Sequence, residues 1–372
     1  MRYPLADQTI PQADLDALAD WLRGGPWLTF GTLCREFEER FAAWLGRQHA
    51  IFVNSGSSAN LLMVYAAKLC ERLPAKIRAP ALAWATTLSP FRQLGIAVEL
   101  RDADPNDWGL DRYDDNAVHM VVHVLGVPAY YWQQGRYVVL EDACAGLGSI
   151  VGDRKVGTYG QMSTFSFYYG HQMSTIEGGM VVTDDDELAD CLRALREHGA
   201  GWNVSESARQ TWEAASPWDF TKRFTFQYPG FNMRPTEIQG FLGLRQMERI
   251  DEVSAHRAEN DARYRKNLEG MPFLACQIPP VGSTVASIAV GVLAASAEHR
   301  AKIAHALELA GIETRPIGTG NVTRQPFWPA WDRREFPMAD AVMDRGFQLP
   351  NHPGLTPTDI DFICETVLKV KP

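Results

Sequence analysis

At 372 residues the chain is too long for one small core and long enough for a large domain with a smaller one. Hydrophobic residues make up 46% and charged residues 22%, a globular balance that argues against disorder. The net charge of −9 disfavours nucleic acid and anionic membranes as partners, although backbone N–H groups could still bind a phosphorylated ligand locally.

The cysteines and the first residues bear on the cellular compartment. The opening segment mixes charged and polar side chains, unlike a signal peptide, and no run approaches the roughly 18 apolar residues of a membrane span. The six cysteines are scattered, without a CxxC pair. Such thiols are typical of reduced cytoplasmic proteins. We therefore expect a cytoplasmic protein without a membrane partner, a metal or an iron–sulfur cluster.

Apolar runs alternate with helical patterns along the first half of the chain. Runs bounded by turn or polar residues indicate strands at residues 50–53, 120–125, 137–140 and 179–183. Helical patterns cover residues 59–69 and 187–198, the second after the start signal Asp184-Asp185-Asp186. Strands that alternate with helices predict a mostly parallel sheet with right-handed crossovers.

The second half of the chain begins with a long irregular segment. Residues 201–230 are rich in aromatic side chains and serine, show little periodicity, and predict a functional or subunit-crossing loop. The elements expected after it are a polar helix over residues 236–268, a strand over 288–293, and helices over 298–310 and 357–370. The domains expected are a large one over residues 1–240, a bridging helix over 241–268 and a small α+β one over 269–372.

A small-residue turn joins the run at residues 50–53 to the following helix. Gly56 in this turn would let the backbone approach an anion, and Ser57 and Ser58 add hydroxyl groups beside the positive end of the helix. The turn therefore predicts a phosphate site. A serine that only caps the helix, without any ligand, is the alternative.

Two acidic residues follow the run at residues 137–140. Ligands of open α/β sheets bind at the carboxyl ends of strands, so the pair Glu141-Asp142 is expected to face a site. A buried aspartate beneath a pyridine ring would keep the ring nitrogen protonated, as an electron sink requires. An aspartate that only caps a helix is the alternative.

A histidine lies between an aromatic run and a Glu-Gly-Gly turn. His171 follows the segment from Phe165 to Gly170, in which Ser166 could add a hydroxyl contact to a phosphate. An imidazole titrates near neutral pH and suits proton transfer, although a lone histidine is more often structural. Trp84 could stack on an aromatic cofactor or pack in the core.

The segment that opens the expected bridging helix carries further polar residues. Asn232 or Arg234 could reach an anion. Arg234 and Glu237 could instead form an ion pair three residues apart on one helix.

Taken together and in this order, these motifs resemble the DegT/DnrJ/EryC1/StrS sugar aminotransferase family, from Tyr3 to the terminal helix. The resemblance implies a fold-type I, aspartate aminotransferase-like fold, with a large mostly parallel α/β/α domain and a smaller C-terminal α+β domain. It implies pyridoxal 5′-phosphate (PLP) or its pyridoxamine form (PMP) as cofactor. By that resemblance Gly56, Ser57 and Ser166 hold the cofactor phosphate.

The resemblance implies roles for three more residues around the cofactor. Trp84 would stack on the pyridine ring, and Asp142 would pair with the ring nitrogen. Asn232 would reach the cofactor phosphate of a partner subunit, which implies a homodimer with shared active sites.

One position decides the branch of the family. His171 stands where the family's aminotransferases have the lysine that links covalently to PLP, and imidazole cannot form that stable link. The pattern around His171 is most similar to the family's 3-dehydratases of GDP-linked 4-keto-6-deoxy-D-mannose. The resemblance therefore implies a nucleotide-linked keto-sugar substrate, glutamate as amino donor and His171 as catalytic base. A histidine-bearing branch with an iron–sulfur cluster does not fit the scattered cysteines.

The chain departs from the dehydratase pattern at several points. Ala145 stands where the family has Glu or Gln near the ring hydroxyl, and Trp202 lies in a segment that lacks the expected arginine. Residues 285–289 lack aromatic side chains expected near the substrate. Arg315 matches a dehydratase-like segment and is a candidate substrate contact, with His198 as another. An aminotransferase-like enzyme on another keto substrate and a catalytically inactive PLP-binding protein stay open as alternatives.

Overall fold

The structure is a computed structural model that describes residues 2–7, 9–73, 77–113, 117–130, 138–215 and 219–372. Its helices are α1 (Gln12–Arg23), α2 (Thr32–Leu45), α3 (Gly56–Leu69), α4 (Ala85–Gln93), α5 (Asp186–Arg196), α6 (Glu206–Ala214), α7 (Glu237–Met247), α8 (Ile250–Leu268), α9 (Ala297–Leu309), α10 (Pro337–Arg345) and α11 (Pro357–Leu368). Its strands are β1 (His49–Val53), β2 (Ile77–Pro80), β3 (Glu99–Arg101), β4 (Val118–Val122), β5 (Val138–Asp142), β6 (Ile150–Val151), β7 (Arg154–Lys155), β8 (Met162–Ser166), β9 (Gly179–Thr183), β10 (Leu274–Cys276), β11 (Ser283–Thr284), β12 (Ala289–Ala294) and β13 (Gly346–Pro350).

A seven-stranded sheet forms the centre of the fold, in the order β1-β9-β8-β5-β4-β2-β3. Neighbouring strands from β8 to β3 pair in parallel, whereas β9 pairs antiparallel with both β8 and β1. Strands β4, β8 and β9 are buried along their whole length, which explains their continuous apolar sequences. The prediction of a mostly parallel α/β sheet is confirmed.

This topology brings several chain segments to one edge of the sheet. Because β9 runs against both of its neighbours, β1 runs in the same direction as β8 and β5. The carboxyl ends of β1, β5 and β8 therefore lie at the same edge. Val53, Asp142 and Ser166 end these three strands.

A second, antiparallel sheet has the order β10-β12-β13. It packs with α8, α9 and α11 around a separate apolar core that includes Tyr264, Ile303 and Ile363. Tyr3 also belongs to this core, and the N–H groups of Arg2 and Tyr3 donate to the carbonyl of Gly311. The domain boundaries at residues 240 and 268 stay a prediction.

Two strands of the large sheet differ from the expected bounds. The apolar run at 120–125 leaves β4 after Val122 and turns through a 3-10 helix at Val124–Gly126, where Leu125 has a φ of 57°. A residue with positive φ cannot continue a strand. Strand β5 begins at Val138, and Tyr137 lies outside the described residues.

The expected loop and bridging helix also differ. Residues 201–230 contain α6, which begins because the Ser205 side chain accepts the N–H of Ala208, and a 3-10 helix at Asp219–Phe224. The helix expected over 236–268 is two helices, α7 and α8. Between them Arg249, at a φ of −124°, leaves the helical conformation, and its guanidinium lies 2.6 Å from the buried Asp14.

Among the described residues, no helix combines the length and the apolar character needed to cross a lipid bilayer.

Candidate active site

Asp142 ends β5 and is buried, with 5% of its surface exposed. Its Oδ2 atom accepts hydrogen bonds from Asn60 Nδ2 at 2.9 Å and from Thr87 Oγ1 at 2.6 Å. Its Oδ1 atom accepts the backbone N–H of Cys144 at 3.1 Å. Three donors therefore fix the orientation of this buried carboxylate. Such a carboxylate can pair with a protonated ring nitrogen.

The turn between β1 and α3 lies against the end of β8. A Cβ atom added to Gly56 would lie 2.7 Å from Cβ of Ser166 and 3.0 Å from Sγ of Cys144, so only glycine fits here without a shift. Ser55 caps α3 by accepting the N–H of Ser58. Among the described hydrogen bonds none engages the N–H groups of Gly56 and Ser57, which can therefore bind an anion.

Ser57 and Ser166 supply hydroxyl groups at this turn. Ser57 is exposed, and its Oγ atom lies 2.8 Å from Oγ1 of Thr86. Ser166 is nearly buried at the carboxyl end of β8. The described geometry therefore matches the predicted phosphate cradle of Gly56, Ser57 and Ser166, which stays a prediction until a ligand is seen there.

His171 follows β8 and lies beside Asp142. Its Nδ1 atom lies 2.7 Å from the carbonyl oxygen of Cys144. Because a carbonyl can only accept, Nδ1 carries the proton and Nε2 keeps its lone pair. The backbone of Cys144 thus connects the two groups, since its N–H binds Asp142 and its carbonyl binds His171.

The electrostatic surroundings keep the imidazole of His171 neutral. Burial lowers its pKa to about 4, and the charges of Arg257 and Arg315 act in the same direction. The hydrogen bond to Cys144 and the charge of Asp142 oppose this shift of the pKa. A neutral imidazole with a free Nε2 lone pair is the form that can accept a proton.

Arg257 is a buried residue of α8 that the sequence did not single out. Its Nη2 atom donates to the backbone carbonyl of His171 at 3.2 Å. Its Nη1 atom donates to the carbonyls of Asn351 and Ser287. Arg257 therefore connects the His171 loop to the segments that flank the second sheet.

The other predicted site residues are placed less directly. Trp84 is 59% exposed and precedes α4, whose Thr87 binds Asp142. The ring of Trp84 is therefore not packed in the core. Arg315 is exposed, and its Nε atom lies 3.4 Å from Oε1 of Gln348. Its influence on the pKa of His171 puts its charge near the site.

Asn232 and His198 have their described contacts elsewhere. Asn232 is exposed, and its Oδ1 atom accepts from Nε of Arg234 at 3.1 Å. His198 has a φ of 65°, donates its backbone N–H to Phe231, and packs its ring against Trp202. The described contacts do not join either residue to Asp142 or His171 within this chain.

Two acidic residues have structural roles. Glu141 was expected to face the site with Asp142, but neighbouring strand residues point to opposite faces. Its carboxylate accepts the N–H groups of Gly157 and Tyr159, each at 2.9 Å. Glu237 does not pair with Arg234, because it accepts the N–H groups at the start of α2.

Sequence reasoning missed the residues that hold Asp142. Asn60 lies one turn into α3, and Thr87 lies in the first turn of α4. The segment Ala85-Thr86-Thr87 carried a weak signal, because two hydroxyl residues follow Trp84. Gln172 was also missed, and it donates to the carbonyls of Ala145 and Ala286.

The family model of the DegT/DnrJ/EryC1/StrS aminotransferases matches residues 8–368. The chain belongs to this family. A GDP-4-keto-6-deoxy-D-mannose 3-dehydratase of Escherichia coli is 31% identical over 338 residues, which cover 86% of this chain and 87% of that protein. A dTDP-4-dehydro-2,6-dideoxy-D-glucose 3-dehydratase of Saccharopolyspora spinosa is 30% identical over 371 residues, 91% of this chain and 80% of that protein.

A solved structure extends the likeness to three dimensions. It is a GDP-4-keto-6-deoxymannose-3-dehydratase with a trapped PLP-glutamate geminal diamine. The matched region covers 98% of this chain and 100% of that chain. The TM-score is 0.86 at 28% sequence identity. The fold-type I expectation for this member of the DegT/DnrJ/EryC1/StrS family is confirmed.

Proposed function

We propose that the chain is a PLP/PMP-dependent 3-dehydratase that removes the C3 hydroxyl of a nucleotide-linked 4-keto-6-deoxy sugar. The observation that carries the proposal is the imidazole of His171, which is fixed at Nδ1 by Cys144 and free at Nε2. Relatives of this chain are 3-dehydratases of GDP- and dTDP-linked keto-sugars. We take GDP-4-keto-6-deoxy-D-mannose as the first substrate to test.

The residues around Asp142 fit the proposed cofactor. Gly56, Ser57 and Ser166 would hold its phosphate, since a Cβ atom at position 56 would fill the cradle. Asp142 would hold its ring nitrogen, and the exposed Trp84 would cover a face of the ring. When bound, PLP supplies an electron sink for the bond that breaks at the sugar.

His171 then acts as the catalytic base through its Nε2 atom. A neutral imidazole takes up a proton there and can return it to the departing hydroxyl. Because imidazole forms no lasting covalent link with the cofactor, the ring must be held by the contacts of Asp142 and the phosphate cradle. We expect glutamate to supply the amino group, as a solved relative was trapped with PLP and glutamate. The products would be a 3-deoxy-4-keto sugar, ammonia and 2-oxoglutarate, the keto acid left when glutamate gives up its amino group and two electrons.

The proposal includes a homodimer in which Asn232 reaches the partner's cofactor. Asn232 is exposed in the single chain. Near it lies an aromatic cluster in which Trp202 packs against Phe224 and Phe226, which are 65% and 52% exposed. Exposed apolar groups of this size support a contact with a second copy. We place the reaction in the cytoplasm, which suits the six free thiols.

The deciding experiment follows ammonia release from purified protein incubated with PLP, glutamate and GDP-4-keto-6-deoxy-D-mannose. Stoichiometric ammonia and a 3-deoxy sugar are expected. An amino-sugar product without ammonia would favour the aminotransferase alternative. Absence of any product, with PLP bound, would favour a binding protein and overturn the proposal.

A further inference from the structure

A chain of hydrogen bonds runs through the core to Asp142. The Oγ1 atom of Thr164, on β8, donates to Oδ1 of Asn60 at 2.7 Å. The Nδ2 atom of Asn60 donates to Oδ2 of Asp142 at 2.9 Å, and Thr87 donates to the same oxygen at 2.6 Å. All four side chains are buried, and each exposes no more than 5% of its surface.

The chemistry of these groups indicates which of them donates in each hydrogen bond. An amide that accepts at Oδ1 from a hydroxyl must turn its NH₂ group the other way, towards Asp142. The Oγ1 atom of Thr164 lies 2.7 Å from Oδ1 of Asn60 and 3.3 Å from the carbonyl oxygen of Glu141, so the shorter contact favours donation to Asn60. With Thr164 as the donor to Asn60, the amide of Asn60 turns its NH₂ group towards the carboxylate.

The two oxygens of Asp142 are not equivalent as a result. Oδ2 receives two donors, Asn60 and Thr87, which fill the two acceptor positions of a carboxylate oxygen. Oδ1 accepts the N–H of Cys144, and the thiol of Cys144 is a further donor beside the carboxylate. An incoming N–H group would therefore bind Oδ1, where the thiol of Cys144 is the competing donor.

We propose that Asn60, Thr87 and Thr164 are positioning residues that orient the carboxylate of Asp142 so that Oδ1 faces a protonated pyridine nitrogen. The inference rests on the proposed function, because PLP is the group that would bring this nitrogen. Thr164 acts indirectly, because its hydroxyl donates to Asn60 and not to the carboxylate of Asp142. Its effect on the cofactor would be transmitted by the orientation of one amide.

Thr164 allows a matched pair of variants. Thr164→Val keeps the shape of the side chain and removes the hydroxyl, which leaves Oδ1 of Asn60 without its donor. The side-chain amide of Asn60 can then rotate and turn its oxygen towards the carboxylate of Asp142. That contact is unfavourable because both oxygens are acceptors. Thr164→Ser retains the hydroxyl and serves as the rescue variant. Thr87→Val and Thr87→Ser form a second pair that acts on Oδ2 directly.

The readouts are the PLP dissociation constant, from absorbance titration, and the pH dependence of the bound cofactor spectrum. For Thr164→Val and Thr87→Val we expect PLP affinity weaker by about tenfold, the net size of one hydrogen bond. We also expect the ring nitrogen to lose its proton at lower pH than in the wild type. The serine variants should behave like the wild type.

Unfolding of the PLP-free proteins separates positioning from general stability. A valine variant that is less stable but leaves the spectrum and its pH dependence unchanged would overturn the inference. So would a serine variant that fails to restore PLP affinity while folding normally. If the wild type itself binds no PLP, the proposed function fails instead, and the two failures are distinguishable.

Discussion

The Nδ1 atom of His171 lies 2.7 Å from the carbonyl oxygen of Cys144. The same cysteine donates its N–H to Asp142, so one peptide segment sets both the base and the carboxylate of the proposed site. Because this segment directly follows β5, the position of the imidazole depends on the sheet rather than on a free loop. This contact therefore orients the imidazole of the proposed base.

The substitution His171→Lys is expected to change how the cofactor is held. A lysine amine forms a covalent link with PLP that borohydride reduces to a stable adduct, whereas wild-type protein should give none. Dehydration should fall by at least about 10²-fold, because the imidazole base contributes on that scale. Mass spectrometry after borohydride treatment and an ammonia assay measure both effects. Full dehydration by the lysine variant would refute the role of His171.

Acid pH should destabilise the wild type through His171. Burial lowers its pKa to about 4, below the value of 6.5 for an unperturbed histidine. Between these values the unfolded chain binds a proton that the folded chain does not, so the free energy of unfolding falls as the pH drops from 6.5 towards 4. The contribution of one such group is at most about 1.4 kcal/mol per pH unit.

The variant His171→Gln isolates this contribution. His119 also has its pKa lowered to about 4 by burial, and burial lowers the pKa of His352, so the wild-type slope contains several groups. Urea unfolding of the PLP-free wild type and variant at pH 6.5, 5.5 and 4.5 gives the difference. Between pH 6.5 and 4.5 the free energy of unfolding of the variant should fall less than that of the wild type. Parallel slopes for the two proteins would show that His171 is not held neutral.

The substitution Gly56→Ala is expected to disturb the phosphate cradle. The added Cβ would lie 2.7 Å from Cβ of Ser166 and 3.0 Å from Sγ of Cys144, so a neighbouring side chain or the backbone would have to shift. Overpacking of this kind costs about 1–3 kcal/mol. We therefore expect weaker PLP binding, measured by absorbance titration.

Gly170→Ala is the control for this substitution. A Cβ atom there meets nothing closer than 3.8 Å, although the residue is adjacent to His171. Its PLP affinity should remain near that of the wild type. Equal affinities for the Gly56→Ala and wild-type proteins would mean that PLP does not approach this turn.

The parts of the fold that the sequence predicted well are those with clear boundaries. The strand at 179–183 was predicted with its observed ends, because a continuous apolar run lies between glycines and three aspartates. The run at 120–125 has no such boundary, so the turn after Val122 could not be seen in its composition. Residues 201–230 hide α6 because that helix is short and mostly polar and has no buried residue.

The residues of the candidate site also separate into those that the sequence could predict and those that it could not. Asp142, Ser166 and His171 follow strands, and the carboxyl ends of parallel strands share one edge, so their proximity could be predicted. Asn60 and Thr87 reach Asp142 only because α3 and α4 pack together over the sheet. Arg257 reaches His171 from α8, which lies far along the chain. Such contacts depend on tertiary packing, which leaves no periodic pattern in the sequence.

Glu237, near the start of α7, is expected to stabilise the N-terminal end of α2 by accepting its free N–H groups. Its Oε2 and Oε1 atoms accept the N–H groups of Leu33 and Cys34, each at 2.9 Å. Helix α2 needs this help because its N-cap residue is Gly31, which has no side chain to accept these protons. The negative charge also suits the positive end of the helix.

The substitution Glu237→Gln should therefore lower the free energy of unfolding by about 1–3 kcal/mol, because an amide NH₂ group would face a buried N–H donor. Glu39→Gln is the matched control, since Glu39 lies on α2, the helix that Glu237 caps, but is exposed. Urea unfolding of the PLP-free proteins measures both. Because α7 follows Asn232, loss of this contact should also loosen the segment proposed to reach the partner's cofactor. Equal stability of the two variants would contradict the capping role of Glu237.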